Sequence, residues 1–367
     1  MFFQSLRTVA FRNLADDQID TGAKNVFLVG INGQGKSNFL EAVYFCAYAS
    51  SFRRGKETDL VKTGEKACSA AAVFSGSPYN DVLIKLEKGR KMIYVNGKKL
   101  EDRRELLSVV PCIVFCHEDM EFVSGSPEMR RWFFDQSQSL YDPVYLDDLR
   151  KYRKLLKMRN TVLREKGGTA EAGLSAMLDA IDPQLIQHGL ALMEKRSRAA
   201  AHFSHLFGLL YEKVSDIAGI NIRYTPSWKS TSLESIGSVL FEHRFQDVAF
   251  GTTLSGPHRD RYSFFQGKNE FAAKASTGQR RLLTLLLRVA QACCFSEMTG
   301  NKPLLLLDDV LLELDTEKRR RFLEALPEYE QAFYTFLPGE PYEQYKKEDA
   351  LLYTVSEGRL RPVSTKG

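Results

Sequence analysis

The sequence predicts an α/β protein whose sheet-forming segments lie at the two ends of the chain, with a helical segment between them. Near the start, the apolar strand-like run 26–29 leads into a glycine-rich loop and a helical pattern at 36–49. Apolar residues then recur at helical spacing between 127 and 245. Strand-like segments return from Thr252 onward. They include the run Leu304–Leu307, whose four leucines suit a strand buried on both faces of a parallel sheet.

The spacing of these segments predicts the domain plan. Alternating Val82, Ile84 and Leu86, followed by the hairpin turn Asn96-Gly97, add strands to the first part. In the middle part, one helix is predicted from Leu146, Leu149, Tyr152, Leu156 and Leu163, with an end at Gly167-Gly168. A second helix is predicted at 173–214, where Pro183 permits a bend. We therefore expect a first part at 1–125, a helical insertion at 126–245 and a last part at 246–367.

The glycine-rich loop has the composition of a phosphate-binding loop. Its residues are Gly30, Ile31, Asn32, Gly33, Gln34, Gly35, Lys36 and Ser37. The glycines allow successive N–H groups to converge on one anion. Lys36 is expected to contact the β- and γ-phosphates of ATP, and Ser37 to bind Mg²⁺. The strand before the loop and the helix after it argue against a chance glycine-rich turn.

Two carboxylates follow the leucine strand. Asp308 is placed to hold the Mg²⁺ shell, and Asp309 to orient or deprotonate the attacking water. Lys36, Asp308 and Asp309 are therefore the predicted catalytic residues. Without the phosphate loop upstream, an ordinary core strand followed by two acids would explain the pattern equally well.

The turn Ser276-Thr277-Gly278-Gln279 precedes a predicted helix at 280–295. On its own, the turn is best explained as a helix cap. Ser276, Gly278 and Gln279 could also bind the γ-phosphate held by another subunit, through a hydroxyl, an open N–H and the helix dipole. The position of the turn, shortly before the carboxylate strand, favours this second interpretation.

Together these motifs resemble the RecF family of bacterial recombination-mediator ATPases, which is related to SMC and ABC-type heads. The likeness runs along essentially the whole chain, and its most discriminating string is Gly256-Pro257-His258-Arg259-Asp260. The other residues that carry it are Phe11-Arg12-Asn13-Leu14, Gly125-Ser126-Pro127, Arg130-Arg131, Arg159-Asn160, Ser255, Leu307-Asp308-Asp309-Val310 and Glu313-Leu314-Asp315. The resemblance implies an ABC-type P-loop ATPase head with a mixed sheet, interrupted by a short helical arm rather than a long coiled coil.

The resemblance also implies roles for individual residues. Ser276, Gly278 and Gln279 correspond to the signature motif that contacts ATP across a dimer, and the Glu313 segment corresponds to the D-loop. Arg12 is similar to an arginine near the nucleotide, while Glu118 and Asp119 lie where a Q-loop-like segment would be.

Three positions depart from the family pattern. Arg261 replaces a second acid, Leu312 replaces the serine that usually begins the D-loop, and the switch segment that ends at Phe336 keeps a single threonine.

The function implied is an ATP-dependent DNA-binding clamp that acts in DNA repair and replication. It would bind single-stranded, gapped or junction DNA, form a homodimer with ATP, and hydrolyse ATP slowly in a DNA-dependent manner. RecR and RecO are the implied partners, and support of RecA loading and of the SOS response is the implied outcome. The alternatives are an SMC-like ATPase outside repair and an ABC transporter ATPase subunit. A transporter usually has a switch histidine near Phe333, and none stands there.

Composition and charge favour a cytoplasmic protein with no membrane partner. No apolar run approaches the ~20 residues of a membrane span, and no export signal is visible at the N-terminus. The six cysteines are scattered, as for reduced core thiols. Cys112, Cys116 and His117 fit a core strand better than a zinc site, because a fourth ligand is not evident.

The formal net charge is +5, and the basic residues are clustered. Single clusters are usually solvated helix faces, but together they suggest a contact track for duplex phosphates. The clusters consist of Arg150, Lys151, Arg153, Lys154, Lys157, Arg159, Arg164 and Lys166; of Lys195, Arg196 and Arg198; and of Arg53, Arg54 and Lys56.

Overall fold

The computed structural model describes residues 2–76, 79–102, 105–106, 110–165, 171–345 and 349–363. Their contacts divide the chain into two compact units. The first consists of residues 1–119 and 291–367, and the second of residues 120–290. Gly167, Gly168 and Lys166, named in the sequence predictions, lie outside the described residues.

The first unit contains a six-stranded mixed sheet. Its strands are β3 (Asn25–Val29), β8 (Cys112–Phe115), β12 (Leu304–Leu307), β13 (Gln331–Phe336), β14 (Ala350–Ser356) and β15 (Arg359–Pro362). They lie in the order β15-β14-β3-β13-β12-β8, and all neighbouring pairs are parallel except β14 and β15. Strands β3, β8, β12 and β13 are buried along their whole length, as the apolar runs predict. The predicted strands at 26–29 and 304–307 are thus confirmed.

A second sheet of this unit is antiparallel. It consists of β1 (Phe2–Val9), β2 (Asp17–Asp20), β4 (Ala67–Ser75), β5 (Asp81–Glu87), β6 (Arg90–Val95) and β7 (Lys98–Lys99), in the order β2-β1-β4-β5-β6-β7. The predicted hairpin is present, since Asn96 and Gly97 join β6 to β7 with φ values of 49° and 71°. Helix α1 (Lys36–Tyr48) packs against strands of both sheets. Gln331 also links them, because its buried side chain bonds to the backbone of Phe3 and Thr21.

The second unit is mainly helical. Its helices are α2 (Glu121–Ser124), α3 (Pro127–Ser139), α4 (Pro143–Arg164), α5 (Glu171–Ser215), α6 (Leu233–Glu242), α7 (Arg244–Phe250) and α8 (Phe271–Lys274). Helices α4 and α5 pack along each other around a cluster that includes Tyr152, Leu192 and Trp228. The 45-residue α5 contains Pro183 within its length. A small antiparallel sheet completes the unit, with β9 (Ile220–Thr225), β10 (Arg261–Gln266) and β11 (Asn269–Glu270) in the order β11-β10-β9.

The division by contacts differs from the predicted plan at 246–290, which the sequence assigns to the last part of the head. Strand β10 pairs along its length with β9, and α7 packs against α4. These long-range contacts hold the segment in the second unit, and no local sequence pattern reveals them.

Two further helices lie in the last third of the chain. Helix α9 (Thr277–Thr299) starts before the predicted 280–295 and ends after it, and α10 (Thr316–Ala325) follows the carboxylate strand. By length and composition alone, α9 could cross a membrane, with a mean hydropathy of 1.3. However, 72% of its apolar window is buried within the protein. Its apolar character is therefore that of a core helix.

Candidate nucleotide site

The phosphate loop leaves the carboxyl end of β3, at the edge of the sheet where ligands of parallel α/β folds bind. A Cβ on Gly30 would lie 2.5 Å from the carbonyl oxygen of Val355, so only glycine fits there. Gly35 has a φ of 113°, in the left-handed region, and leads directly into α1. The Lys36 side chain folds back over the loop, and its Nζ donates to the Gly30 oxygen at 2.7 Å. The loop thus presents a cation and a helix N-terminus to one point.

The predicted carboxylates lie beside this loop. Ser37 Oγ donates to Asp308 Oδ1 at 2.7 Å, although 271 positions separate the two residues. Lys36 Nζ lies 3.8 Å from Asp309 Oδ2. Thr335, on the adjacent strand β13, has its hydroxyl 2.8 Å from Asp309 Oδ1 and 3.2 Å from Asp308 Oδ1. The same hydroxyl accepts from the Asp309 N–H at 2.7 Å, so Thr335 fixes the position of both acids.

The environment of Asp308 suits a carboxylate that binds a cation. Burial, with a contribution from neighbouring Asp309, raises the pKa of Asp308 to about 6, against the hydrogen bond from Ser37. Burial disfavours the charged form of Asp308, so a cation bound beside this carboxylate would stabilise it. Hydroxyl and carboxylate oxygens are the ligands that Mg²⁺ prefers. Adjacent ligands of an octahedral Mg²⁺, each about 2.0–2.1 Å from the ion, lie about 2.9 Å apart. The Ser37–Asp308 distance is therefore compatible with a shared ion.

The open space at the loop has a volume of about 160 Å³. This is below the ~300 Å³ of a typical ligand pocket, so it suits the phosphates rather than a whole nucleotide. The residues that line it are Ile31, Asn32, Gly33, Gly35, Lys36, Ser37, Asn38, Arg53 and Asp309. Gln34 turns away from this space, since its side-chain oxygen accepts from the Glu357 N–H at 2.7 Å.

Arg53 is a site residue that the sequence reasoning missed, because it was counted in a basic cluster for DNA. Its Nη2 lies 4.0 Å from Asp308 Oδ2, and its Nη1 donates to Asn38 Oδ1 at 2.7 Å. In the sequence, only the position of Arg53 shortly after the end of α1 indicates that it could belong to the site. Arg53 adds a second cation beside the phosphate loop.

Arg12 pairs with an acidic side chain of α1, and its predicted contact with the nucleotide stays a prediction. Its guanidinium makes two 2.8 Å hydrogen bonds to Glu41 of α1, and it is not among the described lining residues of the cavity. Glu41 is completely buried and also lies 3.7 Å from Arg53 Nη1. The bond to Glu41 raises the pKa of Arg12 above its usual value. Glu41 therefore pairs with both Arg12 and Arg53, and it connects Arg12 to an arginine that lines the site.

Glu41→Gln is expected to destabilise the protein, because the substitution leaves two guanidinium groups without their carboxylate. Breaking a buried ion pair costs about 3–5 kcal/mol. Arg12 and Arg53 keep partial access to water, so we expect the lower end of this range. Urea denaturation of the nucleotide-free protein measures it. Glu57→Gln, which breaks the half-exposed pair with Lys91, is the matched control and should cost less than about 1 kcal/mol. Equal losses for the two variants would contradict the central position of Glu41.

The Q-loop-like residues lie just after β8. The Asp119 carboxylate is buried and accepts from the Cys116 N–H at 3.1 Å, while Glu118 is exposed. In the D-loop-like segment, Asp315 caps α10 by accepting from the Lys318 N–H at 2.9 Å. The backbone of Val310–Glu313 forms a short 3-10 helix.

The turn at 276–279 belongs to the second unit and forms a capping box at the start of α9. The Ser276 N–H donates to Gln279 Oε1 at 2.8 Å, and the Gln279 N–H donates to Ser276 Oγ at 3.3 Å. The capping interpretation is thus confirmed. Ser276 and Gly278 remain exposed, and a Cβ on Gly278 would meet nothing within 4 Å. The cap and a contact with a second copy are therefore compatible.

Three of the basic residues that the sequence predicts to contact DNA phosphates lie elsewhere in the structure. Arg159 is completely buried and bonds to Asp182 and Asp247. Arg196 is buried against Asp135 and Asp260. Arg53 lies in the candidate nucleotide site. Burial in ion pairs thus removes Arg159 and Arg196 from the suggested track. In contrast, Lys151, Lys154 and Lys157 are exposed on α4.

The mixed sheet, the phosphate loop and the adjacent acid pair define a P-loop ATPase head of the SMC and ABC type. The model of the RecF/RecN/SMC N-terminal domain family matches residues 2–357. The DNA replication and repair protein RecF of Treponema pallidum (strain Nichols) is 43% identical over 355 residues, which cover 96% of this chain and 99% of that protein.

Two solved structures of the recombination mediator protein RecF in the RecFOR pathway also match. The one with ATP has a TM-score of 0.87 at 26% identity, and the one with ATPrS has a TM-score of 0.84 at 25% identity. Each comparison covers 99% of this chain and 98% of the other. The chain belongs to the RecF family, and the predicted fold class is confirmed.

Proposed function

We propose that this protein is an ATP-dependent DNA-binding clamp of DNA repair and replication. The single observation that carries the proposal is the convergence of Lys36, Ser37, Asp308 and Asp309 at one edge of the sheet, in a chain of the RecF family. The ATP named for one matching RecF structure supports ATP as the ligand. A full-length match to proteins of DNA replication and repair favours this role over a transporter subunit.

In the proposed mechanism, ATP binds with its phosphates in the loop. Lys36 exchanges its bond to the Gly30 oxygen for the β- and γ-phosphates, and Arg53 adds charge beside them. Ser37 and Asp308 would hold Mg²⁺, which supplies neutralisation of the phosphate charge. Asp309, oriented by Thr335, positions the attacking water and takes up its proton.

The second half of the site comes from another copy. The exposed turn at Ser276 and Gly278 of one subunit caps the γ-phosphate held by the other, which gives an isologous dimer with two bound nucleotides. Hydrolysis removes the group that joins the halves, and the dimer opens. Asp309 is one methylene shorter than the glutamate usual in ABC transporters, so slow hydrolysis, stimulated by DNA, is expected.

The biological setting proposed is cytoplasmic repair at single-stranded, gapped or junction DNA. RecR and RecO are the proposed partners, with support of RecA loading and of the SOS response as the outcome. These proposals rest on family membership.

Sedimentation velocity with ATP, ADP or no nucleotide, each with and without gapped DNA, tests the function. We expect a dimer with ATP that co-sediments with DNA, and a monomer under the other two conditions. A protein that stays monomeric with ATP and DNA while it hydrolyses ATP at full rate would refute the clamp.

A further inference from the structure

The second unit contains a basic cavity that the nucleotide mechanism does not use. Its volume is about 480 Å³, and it opens between the end of β9 and the start of β10. The residues that line it are Thr225, Pro226, Ser227, Lys229, Leu254, Arg259 and Arg261. We call it the β9–β10 cavity. Its described lining includes three cations and two hydroxyl groups but no carboxylate.

The buried Asp260 anchors the backbone between the two arginines that line this cavity. Asp260 lies between them in sequence, and its carboxylate accepts from Arg196 Nη1 and from the Ser227 N–H, each at 2.8 Å. Tyr224 donates a third bond at 2.5 Å. Since side chains alternate along extended backbone, Arg261 points outward between the buried Asp260 and Tyr262. Arg259, at the end of a short 3-10 helix, is also exposed.

The three cations have no counter-charge within the part of the chain that the structure describes. Arg259 Nη2 donates only to the Thr253 oxygen at 3.4 Å, and Lys229 Nζ to the Pro226 oxygen at 2.9 Å. In contrast, Lys195 and Arg198 on α5 pair with acids of their own unit. Like charges held together without a partner repel, so an anion in the cavity would be stabilised.

The positive surface continues beyond the cavity along the small sheet. Arg223 lies on the same outer face of the β9–β10 pair, two residues from Thr225, the partner of Arg261. Its guanidinium stacks on the Phe265 ring at 4.0 Å, which holds it flat against the sheet. A line of cations that extends from a cavity fits a polyanion better than a small isolated anion.

We propose that the β9–β10 cavity binds backbone phosphates of DNA, without reading its sequence. The inference rests on the proposed DNA clamp and adds a contact site to it. Lys229, Arg259 and Arg261 would replace counterions on the DNA backbone, with Thr225 and Ser227 as additional donors.

The test is the salt dependence of DNA binding by the full-length protein with ATP. Fluorescence anisotropy of a fluorescein-labelled gapped duplex, at about 50–300 mM KCl, gives the slope of log K against log salt. Each lost phosphate contact should reduce the slope by about 0.9 and the affinity by roughly tenfold at about 0.1 M salt. We therefore expect the Arg259→Gln/Arg261→Gln variant to lose about two units of slope, and Arg261→Lys to keep the wild-type slope.

The matched control is Lys98→Gln/Lys99→Gln, which removes the same charge from the exposed strand β7 of the first unit. It should keep the wild-type slope. ATP-dependent dimerisation, measured by sedimentation, should be unchanged in both double variants. If the Arg259→Gln/Arg261→Gln variant fails to fold, the single variants Lys229→Gln and Arg261→Gln repeat the test. A wild-type slope in the cavity variants, or an equal loss in the control, overturns the site while the clamp stands. A wild-type protein that does not bind DNA overturns both.

Discussion

Ser276→Arg is expected to abolish the ATP-dependent dimer while leaving ATP binding to each subunit intact. The serine is exposed at the start of α9, where the proposed dimer brings it against a partner's γ-phosphate. An arginine there would place a long side chain where the proposed dimer has room only for a serine, in each of the two shared sites. Overpacking a close contact costs about 1–3 kcal/mol, which corresponds to a roughly 5- to 160-fold weaker dimer for each site. Sedimentation velocity measures dimerisation, and binding of a fluorescent ATP analogue measures nucleotide affinity.

Two further variants separate the causes. Lys36→Met removes the ammonium that lies over the phosphate loop, so it should lose both nucleotide binding and dimerisation. Ser276→Thr keeps a hydroxyl that can cap α9, so it should retain most of the dimer. If Ser276→Arg still dimerised with ATP, the shared site would be refuted. If it lost ATP binding as well, the turn would belong to the nucleotide site of its own subunit.

The residues of the phosphate loop and the acid pair could be predicted because their signal is local. Gly30, Lys36 and Ser37 stand at fixed spacing between an apolar strand and a helix, and Asp308 follows four leucines. Parallel strands deliver their carboxyl ends to one edge of a sheet, so the two motifs are expected to meet. The 2.7 Å contact between Ser37 and Asp308 agrees with that expectation.

The supporting residues could not be predicted, because their roles depend on what lies beside them in space. Glu41 looks like an ordinary helix acid, and only the fold brings Arg12 and Arg53 to it. Thr335 is the single threonine of its segment, and it contacts both acids through strand pairing. Arg196 lies in a cluster of basic residues that is typical of a protein surface, yet in the structure it is buried in ion pairs with Asp135 and Asp260. Charge counted along a sequence does not reveal which cations remain free after folding.

Asp309→Asn is expected to slow ATP hydrolysis by about 10²–10⁴-fold, the usual contribution of a general base, and to trap the closed dimer on DNA. The substitution suits this test because Asp309 has a φ of 52°, a conformation that asparagine tolerates well. The carboxamide oxygen of the introduced asparagine can still accept from Thr335, so the geometry of the site should persist while the proton acceptor is lost. ATP binding should therefore be unchanged.

Single-turnover phosphate release measures the rate, and sedimentation with gapped DNA measures the trapped dimer. Asp17→Asn, an exposed acid on β2, makes the same chemical change away from the site and should leave both readouts at the wild-type level. Slow hydrolysis without an accumulated dimer would mean that opening does not wait for the γ-phosphate to leave. Hydrolysis at the wild-type rate would transfer the role of the base from Asp309 to another group. An accumulated dimer with slow hydrolysis links the chemistry at one carboxylate to the lifetime of the clamp.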